Sequence, residues 1–495
     1  MSEPDAPPAR RESGIPGLDL IIDGGFLEAG VYIVQGPPGA GKTILANQAC
    51  FHHAARGGRS VYVTLLAEAH SRMFGHLRRM AFFDEAQISE SVYYVGGFNT
   101  LEAEGLHGLV ALVRGIVTKR SAGLAVIDGL VSAQDAAPTD REFKKFLQEL
   151  QLLADLTRCV IILLTNAERR SAYFPEHTMV DGVLHLTDEL SELRPLRHIR
   201  VLKLRGSSPV RGLHSVQISD RGLEVRPRLE SRRSSLSLSE APIADGPKVA
   251  FGIPELDAML RGGVRRGSIT MLLGSSGSGK TVFGMQFLAE GLQKGERGLF
   301  FGFFEHPDAI LAKCRRIGIN GIAEGVDAGL ARVMWQRPVE GVIDEIGEAL
   351  LDAVDDLRPE RVVIDGMQGF ERAADLPERL SDVYSTIAHE LERRRVTTLY
   401  TSETKKLFES DVNVPINGLS AATQNIVLLR HVEHQAAILR ALAILKVRDD
   451  DYDPRVREIR ITDGGITLRD TFAHASNLIT GGGTRNGIAP RSPED

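Results

Sequence analysis

Two eight-residue runs in this chain carry the residue types that grip a triphosphate. Gly36 to Thr43 reads GPPGAGKT and Gly274 to Thr281 reads GSSGSGKT, so both match GxxxxGK[ST]. In such a loop, glycines let backbone N–H groups turn toward one phosphate chain, and the helix that follows adds the positive end of its dipole. Gly36, Gly39, Ala40 and Gly41 are the candidate nucleotide-binding backbone of the first run, and Gly274, Gly277, Ser278 and Gly279 that of the second. Lys42 and Lys280 would reach the β- and γ-phosphates, while Thr43 and Thr281 would give a hydroxyl to Mg²⁺. A second metal carboxylate should end a neighbouring apolar strand, and VID does so at Asp128 and again at Asp365. ATP and Mg²⁺ are the cofactors this chemistry implies.

The elements that must position these residues occur twice. GIPGLDLIIDGGF begins at Gly14 and GIPELDAMLRGGV at Gly252. The two lysines are as far apart as the two opening glycines (280 − 42 = 238 and 252 − 14 = 238), and the aspartates almost so (365 − 128 = 237). Equal spacing over such distances means a duplicated domain. Each copy alternates short β-rich runs with helical stretches. VYIVQ, VYVTLL, LAVID, VIILLT and IRVLKL mark the first copy; SITMLL, GLFFGF, RVVID, TTLYT and AILKV mark the second. Continuous apolar strands separated by longer segments predict an α/β fold, a mainly parallel sheet covered by helices. Residues 141–156 predict one such helix, because Phe143, Phe146, Leu147, Leu150 and Leu153 recur at steps of three and four.

Composition removes other classes. With 43% hydrophobic and 25% charged residues over 495 positions, the chain is of ordinary globular make-up and long enough for two or three cores. A net charge of -6 offers no broad attraction to nucleic acid or an anionic membrane. Cys50, Cys159 and Cys314 are scattered and lack metal-ligand spacing, so no disulfide framework or zinc site is expected. No signal core or run of about 18 apolar residues is present, which leads us to expect a soluble, cytoplasmic protein. The boundaries expected are a disordered start at 1–10, domains at 11–228 and 249–470, a Ser/Arg/Pro-rich linker at 229–248, and a Gly-rich disordered tail at 471–495.

These motifs, with the strand LKLRGS (Leu202 to Ser207) and its echo LKVRDD (Leu445 to Asp450), make the sequence resemble the KaiC family over nearly its whole length. The resemblance implies two tandem RecA-like P-loop NTPase domains, a homo-hexameric double ring with ATP between subunits, and slow ATP hydrolysis. It also implies Ser/Thr autokinase activity in the second ring and a protein signalling partner that the sequence does not name. In the family, two glutamates follow the strand after the P-loop helix, and one polarises the attacking water or hydroxyl. Here Phe304 takes the first place and Glu305 the second, while Leu66 and Ala67 fall on the pair in the first copy and Glu68 comes one residue late. Glu305 and Glu68 are therefore the candidate catalytic bases.

Lys203 and Arg205, two apart on one strand face, would on this resemblance cross to a neighbour's γ-phosphate, followed by Ser207; Lys446 and Arg448 repeat them. Pro209 stands where the family often has histidine, and Arg448 runs into Asp449, Asp450 and Asp451, a repulsive run beside phosphate unless it turns away or holds metal. Ser420 occupies one phosphorylated position of the family, with Ala421 in the neighbouring threonine place. Two other readings stay open: a nucleotide-gated scaffold with little turnover, and a DNA-acting recombination or helicase motor. The negative charge and the lack of an Arg/Lys-aromatic track argue against the last, and against nucleic acid as a partner.

Overall fold

Val31–Gln35 (β1) is buried along its whole length, with side chains on both faces of a sheet. Tyr32 and Val34 join the core that contains Leu45, Ala46 and Tyr62, while Val31 and Ile33 join the opposite core with Phe146, Leu147 and Leu150. A strand buried on both faces has no polar position to spare, which is why the run is continuously apolar. The computed structural model describes residues 9–65, 70–166, 175–191, 194–233, 247–337, 342–374, 376–404, 423–448 and 450–472. The chain divides into two units, Met1–Arg232 and Arg233–Asp495.

In the first unit β1 is followed by α1 (Lys42–Ala55), β2 (Ser60–Thr64), β3 (Val92–Gly96), α2 (Phe98–Arg120), β4 (Leu124–Asp128), α3 (Asp140–Thr157) and β5 (Val160–Thr165). Four more strands complete it: β6 (Gly182–Ser191), β7 (Arg194–Leu204), β8 (His214–Ser219) and β9 (Gly222–Arg226). The sheet order is β9-β8-β7-β6-β1-β5-β4-β2-β3. Pairing is parallel from β3 across to β6 and antiparallel from β6 to β9. Helix α3 starts at Thr139, whose hydroxyl accepts from the Glu142 N–H, and buries the five apolar side chains named above.

The second unit holds β10 (Ile269–Gly274), α4 (Lys280–Gln293), β11 (Gly298–Gly302), β12 (Ala331–Trp335), α5 (Ile343–Leu357), β13 (Arg361–Asp365), α6 (Leu380–Arg393) and β14 (Thr397–Glu403). Strands β15 (Asn425–His434), β16 (Ala437–Val447), β17 (Arg457–Thr462) and β18 (Gly465–Arg469) follow. Its order, β12-β11-β13-β14-β10-β15-β16-β17-β18, is that of the first unit element for element. The chain thus contains two α/β units of tandem RecA-like type, each built on a mostly parallel sheet. Among the described residues no helix is long and apolar enough to cross a membrane.

At the expected edges, single residues are held to the domains. Arg10, assigned to a disordered start, pairs with Leu27 in a short strand and donates to Asp23 and Ser207. Leu229, assigned to the linker, is fully buried in a short helix, Leu229–Arg233, and Lys248 at the linker's other end already pairs with Arg265. Phe472, assigned to the tail, packs on Val432 and Ala441. In each case one apolar or cationic anchor at the end of a polar run holds it to the domain.

The GIPxLD openings are structural. Asp19 accepts the Ser13 N–H at 2.9 Å, and Asp257 accepts those of Phe251 at 2.6 Å and Gly252 at 3.1 Å. A carboxylate capping backbone donors folds the entry turn beneath each sheet.

Candidate functional site

Each candidate site lies where its central strand gives way to the following helix. Gly36 comes so close to β6 that a Cβ there would lie 2.4 Å from the Leu186 carbonyl oxygen; at Gly274 it would lie 2.5 Å from that of Leu429. No other residue fits those two points. Gly41 and Gly279 have φ of 100° and 105°, in the left-handed region, and launch α1 and α4. Neither helix has a side-chain cap at its start, so its first N–H groups face the loop without that competitor. Gly39 and Gly277 also have positive φ; Ala40 and Ser278 are buried beneath the loop, and the Ser278 hydroxyl has no hydrogen-bond partner among the described residues.

The lysines lie folded back in the same way in both units. Lys42 Nζ donates to the carbonyls of Gly36 at 2.7 Å and Pro37 at 2.9 Å; Lys280 Nζ donates to those of Gly274 at 2.9 Å and Ser275 at 2.8 Å. Burial lowers both ammonium pKa values, opposed by Asp128 in the first unit and by Glu403 and then Asp365 in the second. A phosphate chain in the loop would relieve that desolvation by offering charged acceptors in place of neutral carbonyls.

Thr43 and Asp128 meet at 3.5 Å, and Thr281 and Asp365 at 2.8 Å. A hydroxyl facing a carboxylate suits Mg²⁺, which is usually held by one or two carboxylates together with substrate phosphates and water. Among the described residues no three His, Cys, Asp or Glu converge as a metal cage, so phosphate and water would have to complete the shell. Burial raises the pKa of Asp128 and of Asp365, the expected result for a carboxyl kept from water. Different hydroxyls hold the two. Tyr62 donates to Asp128 Oδ2 at 2.7 Å, and Thr401 donates to Asp365 Oδ1 at 2.7 Å.

The remaining candidates fare unequally. Glu305 is bound by both oxygens to Lys313 Nζ, at 2.6 and 2.5 Å, and its charge still reaches Asp365. Phe304 is half exposed, with its ring against Gly366. Glu68, with Leu66 and Ala67, lies outside the described residues, as do Ser420 and Asp449.

Lys203 gives hydrogen bonds to the carbonyls of His177, Thr178 and Val180 at 2.7, 3.0 and 2.7 Å, using all three of its donors within its own unit. Arg205 donates to Thr178 at 2.6 Å but keeps half its side chain exposed, and Ser207 accepts from Arg10 at 2.7 Å. Lys446 donates to the Thr423 carbonyl at 2.8 Å, and the Arg448 backbone N–H donates to that of Gln424. The acidic run beyond turns to cations: Asp450 sits 3.1 Å from Lys248 and 3.4 Å from Arg265, and Asp451 3.2 Å from Arg261.

Several groups at the sites escaped the sequence reading. At the first loop's tip, Asp188 pairs with Arg197 at 3.3 Å and lies against Gly39. At the second tip, His431 meets the Ser275 hydroxyl at 3.1 Å and Arg440 donates to the Gly277 carbonyl at 3.1 Å. These residues stand on β6, β7, β15 and β16, whose mixed polar pattern hides a strand that borders phosphate. Tyr62, Thr401 and Glu403 could have been found by counting along the parallel strands beside each VID.

Comparison with known proteins finds one family over both units. A family model described as the ATPase KaiC matches residues 11–230 and again 249–471. The circadian clock oscillator protein KaiC of Picosynechococcus sp. is 26% identical over 504 residues, covering 97% of this chain and 93% of that protein. The protein of the same description from Synechococcus elongatus is 24% identical, covering 98% and 93%. The circadian clock protein KaiC3 of Synechocystis sp. is 24% identical, covering 95% and 94%.

Proposed function

We propose, from the premise that this chain belongs to the KaiC family of ATPases, that it binds ATP at two P-loop sites, hydrolyses it slowly and signals through its nucleotide state as a ring of identical subunits. The single observation that carries the reading is the duplicated set of lysine, threonine and aspartate on one topology, Lys42, Thr43 and Asp128 in one unit and Lys280, Thr281 and Asp365 in the other. In this account the loop N–H groups and the lysine hold the phosphates, and the helix start neutralises part of their charge. Mg²⁺, bound through the threonine hydroxyl, the aspartate and the phosphates, would supply charge neutralisation at the β- and γ-oxygens. Arg205 is the better placed of the two basic residues to reach a neighbouring subunit, because Lys203 is consumed by three carbonyls of its own unit. The ring is proposed because such a contact has a use only across a subunit interface.

A second reading holds for the first unit alone. Leu66 and Ala67 replace the family's acids, and neither side chain can accept a proton. That unit would then bind ATP with little turnover and act as a scaffold for assembly. Autophosphorylation at Ser420 is the third part of the proposal. Incubation with γ-labelled ATP and Mg²⁺ tests all three: the proposal expects labelled free phosphate that depends on Lys280, ATP-dependent assembly that depends on Lys42, and label on Ser420. Background release from the whole chain would leave only the scaffold.

A further inference from the structure

Glu403 ends β14, directly beside the first glycine of the second loop. Its Cα partner across the parallel ladder is Gly274, and the next residue, Thr404, donates its N–H to the Gly274 carbonyl at 3.1 Å. Two residues earlier, Thr401 reaches Asp365 and the Gly366 N–H at 2.7 and 2.8 Å, so that face of the strand is the one that meets the metal carboxylate. Side chains two apart share a face, which sets Glu403 one pleat farther out, at the mouth of the loop. Its charge is the strongest that acts on Lys280, ahead of Asp365. The side chain is exposed, and no hydrogen bond or ion pair engages its carboxylate among the described residues.

Two neighbours make this carboxylate the best placed for proton transfer. Phe304 carries no acid where the family has one, and Glu305 is committed to Lys313 through both oxygens. We propose that Glu403 accepts the proton of the attacking water in the second site, a catalytic role that rests on reading that site as an ATPase. In the step, the water oxygen bonds to Pγ while the bond from Pγ to the β,γ-bridging oxygen breaks. ADP leaves with that electron pair, and the water's proton passes to the Glu403 carboxylate and then to solvent. The first site lacks the group: Asn166 follows Thr165, which pairs with Gln35 and accepts the Gly36 N–H, so an amide stands where the second site has an acid. An amide can orient water but takes no proton.

The test uses the full chain as parent, whose first site, with an amide at Asn166, contributes little turnover on this account, so that phosphate release reports the second site. Glu403→Gln should lower kcat about a hundredfold, the lower end of what a positioned base contributes, while ATP affinity by calorimetry stays within about threefold. Glu403→Asp should fall between the two, and Glu305→Gln should lower kcat less than Glu403→Gln does; the reverse order would return the role to Glu305 and overturn the proposal. Unchanged or faster turnover in Glu403→Gln would mean that the carboxylate only repels phosphate, and overturns the proposal. A parent that binds ATP yet releases no phosphate overturns it too, with nucleotide binding left standing. A parent that takes up no ATP removes the ATPase reading of the site itself.

Discussion

A buried tyrosine holds the acid of the first site and a threonine holds that of the second, although the loops beside them are nearly superimposable in their bonds. The difference has a consequence in pH. Burial pushes the Asp128 carboxyl above the ordinary aspartate range, and the Tyr62 hydroxyl, which favours the ionised form, pulls it part of the way back. Binding of Mg²⁺ and ATP needs the carboxylate, so affinity should fail as pH drops through that raised pKa, sooner than an exposed aspartate would allow. Tyr62→Phe removes the donor and should move the loss to higher pH still. ATP titrations of the Lys280→Ala chain at a series of pH values check this, and an unmoved midpoint would show that Tyr62 does not tune the acid. Tyr62 escaped the sequence reading because a tyrosine inside an apolar strand reads as core until the register against the neighbouring VID strand is counted out.

At the scale of elements, the central strands, the loop-bearing helices and α3 were readable, since each pairs an unambiguous period with a clear start. The edge strands Val92–Gly96 and Ala331–Trp335 were not, because a strand half covered at the rim carries a weak pattern. Strands β6 and β15 escaped for a different reason. Each has one neighbour in parallel and one antiparallel, and polar residues such as Asp188 and His431 break the apolar run at the point where the strand passes the loop. The irregular pairing opposite Leu202 and Leu445 was also invisible: both antiparallel pairs shift register just before Lys203 and Lys446, which turns each lysine back onto its own unit. The motif that did most to identify the duplication, GIPxLD, proves to be architecture. Asp257→Ala would leave two backbone donors without their acceptor, and each lost bond of this kind costs about 1–3 kcal/mol. Urea unfolding should show that loss in the second unit, with ATP uptake by the first unit unchanged; equal loss at both sites would contradict a local role.

For the whole molecule, one duplicated plan has diverged in charge. The first loop tip faces a compensated Asp188–Arg197 pair and an amide at Asn166, whereas the second faces His431, Arg440 and Glu403. Two sites with one scaffold and different surroundings fit a division of labour, the first holding nucleotide and the second turning it over. Isothermal titration of the magnesium-supplemented chain with ATP tests the central claim most directly. Two ATP should bind per chain, one in each of Lys42→Ala and Lys280→Ala, and none in the double variant. Undiminished heat of binding in the double variant would contradict the account.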